Sequence, residues 1–171
     1  MAFILIQHLD PKHKSELAEI IESYTYLPVL LITDGMVIQP NFVYVIPPNK
    51  DLAILNGTLQ LLEPTAAGGQ RMPIDFFFQT LAQDQREKAV GIILSGAGSD
   101  GTSGVSAIKK EGGIIMVQRP DTAEFDSMPR NAIATDLVDF ELEPIEMPNL
   151  LITLCNKNHL QLPRPLITQS P

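Results

Sequence analysis

The chain has 171 residues, of which 44% are hydrophobic and 19% charged, with a formal net charge of −8. That length suits one domain with a real core, and the acidic excess argues against a nucleic-acid surface, which needs clustered Lys and Arg. The single cysteine, Cys155, excludes an internal disulfide and fits a reducing compartment, while no apolar run approaches the ~20 residues of a bilayer span.

Met1 to Ile6 lacks a basic n-region and a cleavage site, so it reads as a strand rather than a signal peptide, and a cytoplasmic location is expected. Phe3 to Gln7 is a short continuous apolar run, as in a buried parallel strand. Lys14 to Tyr24 follows with Leu17, Ile20, Ile21 and Tyr24 at helical spacing. Val29 to Ile32 and Phe42 to Ile46 are further strand-like runs, the second closed by Pro47 and Pro48. Asp51 to Leu55 and Thr58 to Leu62 flank Asn56-Gly57, which signals a tight hairpin. Glu63 to Met72 reads as an exposed loop, and Pro73 opens a helix running to about Gln85.

A strand from Ala89 to Leu94, a helix to about Glu111 ended by Gly112-Gly113, and a strand from Ile114 to Val117 come next. Pro129 to Ala134 predicts a short helical turn, Leu137 to Phe140 a last strand, and Ile145 to about Asn156 a final helix. Beyond Leu160 the chain carries three prolines and reads as a flexible tail over 161–171, leaving 1–160 as the domain. Strands alternate with helices for most of the length. The expected fold is therefore α/β: a doubly wound, mostly parallel sheet with helices on both faces and an appended antiparallel hairpin at about 51–62.

In such a sheet, sites form beyond the carboxyl ends of the strands. Two chemically useful residues meet that condition. His8 closes the first run, and Asp100 lies in the stretch ILSGAGSDGTSG, Ile93 to Gly104, after the strand that ends near Leu94. Parallel strands put both on one rim, where a carboxylate could orient a general-base histidine and stabilise its imidazolium. The plainer alternatives are a loop histidine at His8 and, at Asp100, a cap for the helix that follows it. His13, in a charged helix start, and His159, in the tail, read as surface residues.

Gly96, Gly98 and Gly101 also match the G-x-G-x-x-G spacing of a dinucleotide turn between a strand and a helix. Against it, Asp100 would set a negative charge beside a pyrophosphate. No acidic residue closes the next strand either: Gln118-Arg119 stands there, with Asp121 just beyond. No Gly-Lys-Ser/Thr of a P-loop occurs, and the scattered histidines and lone cysteine give no metal-ligand spacing, so neither cofactor nor metal is expected. A serine nucleophile would sit on a turn such as G-x-S-x-G, which is absent; Ser95, Ser99, Ser103 and Ser106 read as loop serines that cap backbone.

Several stretches, in order, resemble the catalytic domain of the CheB-type protein-glutamate methylesterases. They are Ile6-Gln7-His8-Leu9, Tyr44 to Pro48 with the Asn56-Gly57 hairpin, Arg71 to Phe78, Gly91 to Gly101, Gly112-Gly113, and Met128 to Ala132. PIDFFF and FVYVIPPNKDLAILNGTLQL look most like the version fused to a receptor methyltransferase. The resemblance implies a Ser-His-Asp triad that hydrolyses glutamate γ-methyl esters on chemoreceptors. His8 matches the histidine, Asp100 the aspartate, and the Ala97 N–H the oxyanion donor of the same loop.

The family opens with a strand and a Gly-x-Ser-x-Gly-Gly turn, and no residue here matches them. The expectation is thus a domain truncated at its N-terminus, a fragment of a fusion or a shortened gene product, with little or no esterase activity alone. The missing strand would be central, so its neighbours would show open edges and invite homo-oligomer formation. Methylated chemoreceptor is the implied protein substrate and a receptor methyltransferase domain a possible neighbour, without nucleic acid or membrane insertion. A non-catalytic interaction module in chemotaxis and a nucleotide-binding domain on Gly96, Gly98 and Gly101 are the alternatives.

Overall fold

A computed structural model describes residues 1–7, 16–64 and 71–156. In chain order the elements are β1 (Phe3–Leu5), α1 (Leu17–Tyr24), β2 (Val29–Leu31), β3 (Met36–Val37), β4 (Val43–Val45), β5 (Asp51–Leu55), β6 (Thr58–Leu62), α2 (Pro73–Gln85), β7 (Val90–Ile93), α3 (Thr102–Lys110), β8 (Ile114–Gln118), α4 (Ser127–Ile133), β9 (Phe140–Leu142) and α5 (Met147–Asn156).

The mostly parallel α/β architecture is present, with helices on both sides. Its parallel strands form two sheets rather than one: β1-β4-β2 and β7-β8-β9, each three-stranded. The middle strands explain the continuous apolar runs. Val43, Tyr44 and Val45 of β4 and Ile115, Met116 and Val117 of β8 are all buried, as strands covered on both faces must be. The edges β1 and β7 read Phe-Ile-Leu and Val-Gly-Ile-Ile, with no charge or proline to blunt them.

The hairpin β5–β6 forms over the predicted residues, with Asn56 and Gly57 both at positive φ (51° and 70°), as a tight two-residue turn demands. A short strand not evident in the sequence, β3, adds to it. The last strand begins later than the apolar run Leu137 to Phe140 suggests. Just ahead of the β8–β9 register, which opens at Met116 and Phe140, Asp139 donates its N–H to the Ile115 carbonyl and takes the Ile115 N–H and the Lys109 ammonium on its carboxylate.

One core joins the layers. Tyr44, Leu52 and Leu59 from the first half and Phe77, Ile93, Ile108 and Val117 from the second belong to one cluster. Fully burying a side chain such as Phe77 contributes about 2–3 kcal/mol. Helices α2 and α3 approach closely because Gly104 has no side chain: a Cβ there would lie 2.5 Å from the Phe78 Cβ. No helix among the described residues is long and apolar enough to cross a membrane.

Candidate active site

The loop after β7 lies on the rim formed by the strand carboxyl ends and is braced from several sides. Gly98 and Gly101 hold φ of +91° and +94°, a region that a side chain strongly disfavours. A Cβ at Gly96 would run into the Met128 side chain, which would have to move to admit it.

Neighbouring elements tie down the backbone of this loop. Ser95 N–H donates to Gln118 Oε1 (2.8 Å), Gly96 N–H to the Phe125 carbonyl (2.9 Å), and Gly98 N–H to Ser127 Oγ (3.0 Å). In return Phe125 N–H donates to Ser95 Oγ (3.0 Å), Met128 N–H to the Gly96 carbonyl (3.0 Å) and Asn131 Nδ2 to the Gly98 carbonyl (2.8 Å). Gln118, at the end of β8 and 6% exposed, also donates to the Thr122 carbonyl at 2.9 Å, linking the loops after β7 and β8. Ala97 is exposed, and its N–H has no acceptor among the described residues.

Asp100 is 4% exposed. It stands one residue before Gly101, the cap residue of the helix that follows. Its oxygens instead receive the Ile74 N–H (3.0 Å) and Asp75 N–H (2.9 Å) of the first turn of α2. Pro73 at the first position of α2 has no N–H, and Met72 gives no side-chain cap, so Asp100 acts as the missing cap from a distance.

A second buried acid lies beside it. Asp75, 8% exposed, receives the Gly104 N–H of α3 at 2.7 Å. Burial raises its pKa above the ordinary aspartate value, the Asp100 charge adds to the rise, and the amides of Gly104, Gly101 and Ser103 oppose it.

The structure therefore brings Asp100 and the Ala97 N–H into one loop at the rim. His8, His13 and His159 lie outside the described residues. Sequence reasoning missed Asp75, Gln118, Ser127 and Asn131. The MPRNA stretch, Met128 to Ala132, carried a family likeness without a role for Asn131, Ser127 just before it carried none, and their contacts reach back about thirty residues, 29 for Ser127 and 33 for Asn131. Among the described residues no cluster of three or more His, Cys, Asp or Glu could hold a metal.

Comparisons with known proteins show the family. A 104.1 kDa protein of Rhodobacter capsulatus is 39% identical over 126 residues, covering 74% of this chain and 13% of that protein. A Leptospira interrogans protein, provisionally named protein-glutamate methylesterase/protein-glutamine glutaminase, is 33% identical over 156 residues, which is 91% of this chain and 81% of the relative. The crystal structure of the Thermotoga maritima CheB methylesterase catalytic domain superposes with a TM-score of 0.80 at 28% identity, covering 88% of this chain and 82% of that one. The family profile described as CheB methylesterase matches residues 1–151, and the chain belongs to that family.

Proposed function

We propose that this chain supplies the His–Asp half and one oxyanion donor of a serine esterase acting on glutamate γ-methyl esters of chemoreceptors. His8 is the general base, Asp100 orients it and stabilises its imidazolium, and the Ala97 N–H faces the oxyanion. The serine comes from a segment outside residues 1–171. It attacks the ester carbonyl while His8 takes its proton. His8 then protonates the departing methoxide, methanol leaves, and water hydrolyses the acyl-enzyme by the same route.

The observation that carries this reading is the buried Asp100 carboxylate, held on the Ile74 and Asp75 amides two residues beyond Gly98 in the loop that exposes Ala97. A carboxylate so fixed suits an orienting role, because it cannot swing away when the base changes charge. The family match over residues 1–151 supports one catalytic unit, which we take to run over 1–160. The long Rhodobacter relative supports a setting within a larger polypeptide, where a receptor methyltransferase domain is the candidate neighbour. A cytoplasmic location goes with that setting.

The dinucleotide reading draws less support. The amides of Gly96 and Gly98 already have acceptors, and the Gly104 amide at the start of α3 is taken by Asp75. A phosphate would have to displace a carboxylate there. A non-catalytic receptor-docking role is favoured by one observation, the absence of a G-x-S-x-G turn from the sequence; receptor binding that survives His8→Ala and Asp100→Ala would support it.

Methanol release from a methylated receptor fragment tests the reading. The chain alone is expected to stay several powers of ten below a complete serine esterase. Substantial release abolished by His8→Ala would overturn the external serine and favour a water-activating His–Asp dyad.

A further inference from the structure

Gly98 is gripped at both of its backbone polar groups by one helix. Ser127 Oγ, in the first turn of α4, accepts its N–H at 3.0 Å, and Asn131 Nδ2, one turn later, donates to its carbonyl at 2.8 Å. The i, i+4 spacing sets both side chains on one helix face. The gripped residue holds φ +91°, a conformation that fixes the direction of the preceding peptide. That peptide carries the Ala97 carbonyl, and the adjoining one the Ala97 N–H, which lacks an acceptor among the described residues while the amides of Ser95, Gly96 and Gly98 all have one.

We infer that Ser127 and Asn131 are positioning residues that clamp Gly98 and so aim the Ala97 N–H at a substrate oxyanion. The inference rests on the esterase reading of the loop. Asn131 is exposed, so holding Gly98 is a better account of its bond than stabilising the core.

The test uses the full chain, labelled with ¹⁵N, in unsubstituted form and as Ser127→Ala, Ser127→Thr, Asn131→Ala and Asn131→Asp. Amide exchange and relaxation report the mobility of residues 97 and 98. Methylphosphonate, a tetrahedral oxyanion, probes the Ala97 amide by chemical shift. Loss of one hydrogen bond should speed Gly98 exchange about five- to tenfold in Ser127→Ala, and Ser127→Thr, which keeps the hydroxyl, should restore it.

Asn131→Asp keeps the shape but loses the donor, so it should match Asn131→Ala in raising mobility and weakening the methylphosphonate response. Melting temperatures should change little, which separates positioning from support of the fold. A responsive Ala97 whose mobility and response are the same in every variant overturns the clamp alone. An unsubstituted chain whose Ala97 amide ignores methylphosphonate overturns the oxyanion reading and the clamp's function with it.

Discussion

Asp75 and Asp100 cap each other's helices. Asp100, just ahead of α3, accepts two amides from the first turn of α2, and Asp75, in that first turn, accepts the Gly104 amide of α3. Two acids are thus buried together because each satisfies backbone donors that would otherwise be orphaned. The exchange welds α2 to α3 at the end where the candidate site lies.

Removing one side of the exchange should therefore cost stability as well as chemistry. Asp100→Ala leaves the Ile74 and Asp75 amides without their acceptor and should destabilise the fold by about 2 kcal/mol or more. Asp100→Asn keeps one acceptor oxygen and should cost about half as much. Urea unfolding followed by circular dichroism measures both; equal stability of wild type and Asp100→Ala would contradict the capping role.

The second carboxylate carries a pH signature. The folded pKa of Asp75 is raised, chiefly by burial, so the fold favours its protonated form. Its contribution to stability is then fully present below the unfolded aspartate value and lost as pH rises through the folded value. Asp75→Asn keeps an acceptor for Gly104 and removes the charge facing Asp100. It should melt higher than wild type at neutral pH, with the difference shrinking as pH falls through the raised folded value and levelling off below about 4. Melting curves across pH for both proteins check this, and a variant less stable than wild type at pH 7 would show that the charge helps the fold.

Packing between the same helices makes a further prediction. Alanine normally improves a helix by about 1 kcal/mol over glycine. At Gly104 the new Cβ would meet the Phe78 Cβ at 2.5 Å, an atom tied to the backbone of α2. The clash should win, with Gly104→Ala destabilised by about 1–3 kcal/mol. Chemical denaturation with an unchanged m-value would support this, and a stabilised variant would contradict it.

The open edges of β1 and β7 predict self-association. Both strands are apolar, and each pairs on one side only among the described residues. Light scattering after size exclusion should find oligomers, reduced by Ile92→Lys, which sets a charge on the half-buried β7. A well-behaved monomer would count against pairing through these edges.

Much of the frame was legible because it is written locally. Asn56-Gly57 specified the hairpin, Pro73 the start of α2, and the run to Ile93 followed by Gly and Asp the strand and loop of the site. Asp100 was found as a rim carboxylate because strand order alone predicts that rim. Its partners were not legible: the amides it caps lie 25 and 26 residues earlier in the chain, and a nearer helix start made a more obvious target. The division of the parallel strands into two sheets is a matter of pairing, which periodicity does not encode. At the start of β9, Asp139 binds Lys109 across thirty residues, a contact that local periodicity does not encode.

Methanol release by two forms of the chain tests the central claim most directly. Residues 1–171 alone are predicted to release none above background from a glutamyl-methylated receptor fragment. The same residues joined at Met1 to a strand bearing a Gly-x-Ser-x-Gly-Gly turn are predicted to release it, and to lose that activity on His8→Ala or Asp100→Ala. Activity in the joined form that ignores both substitutions would contradict the account.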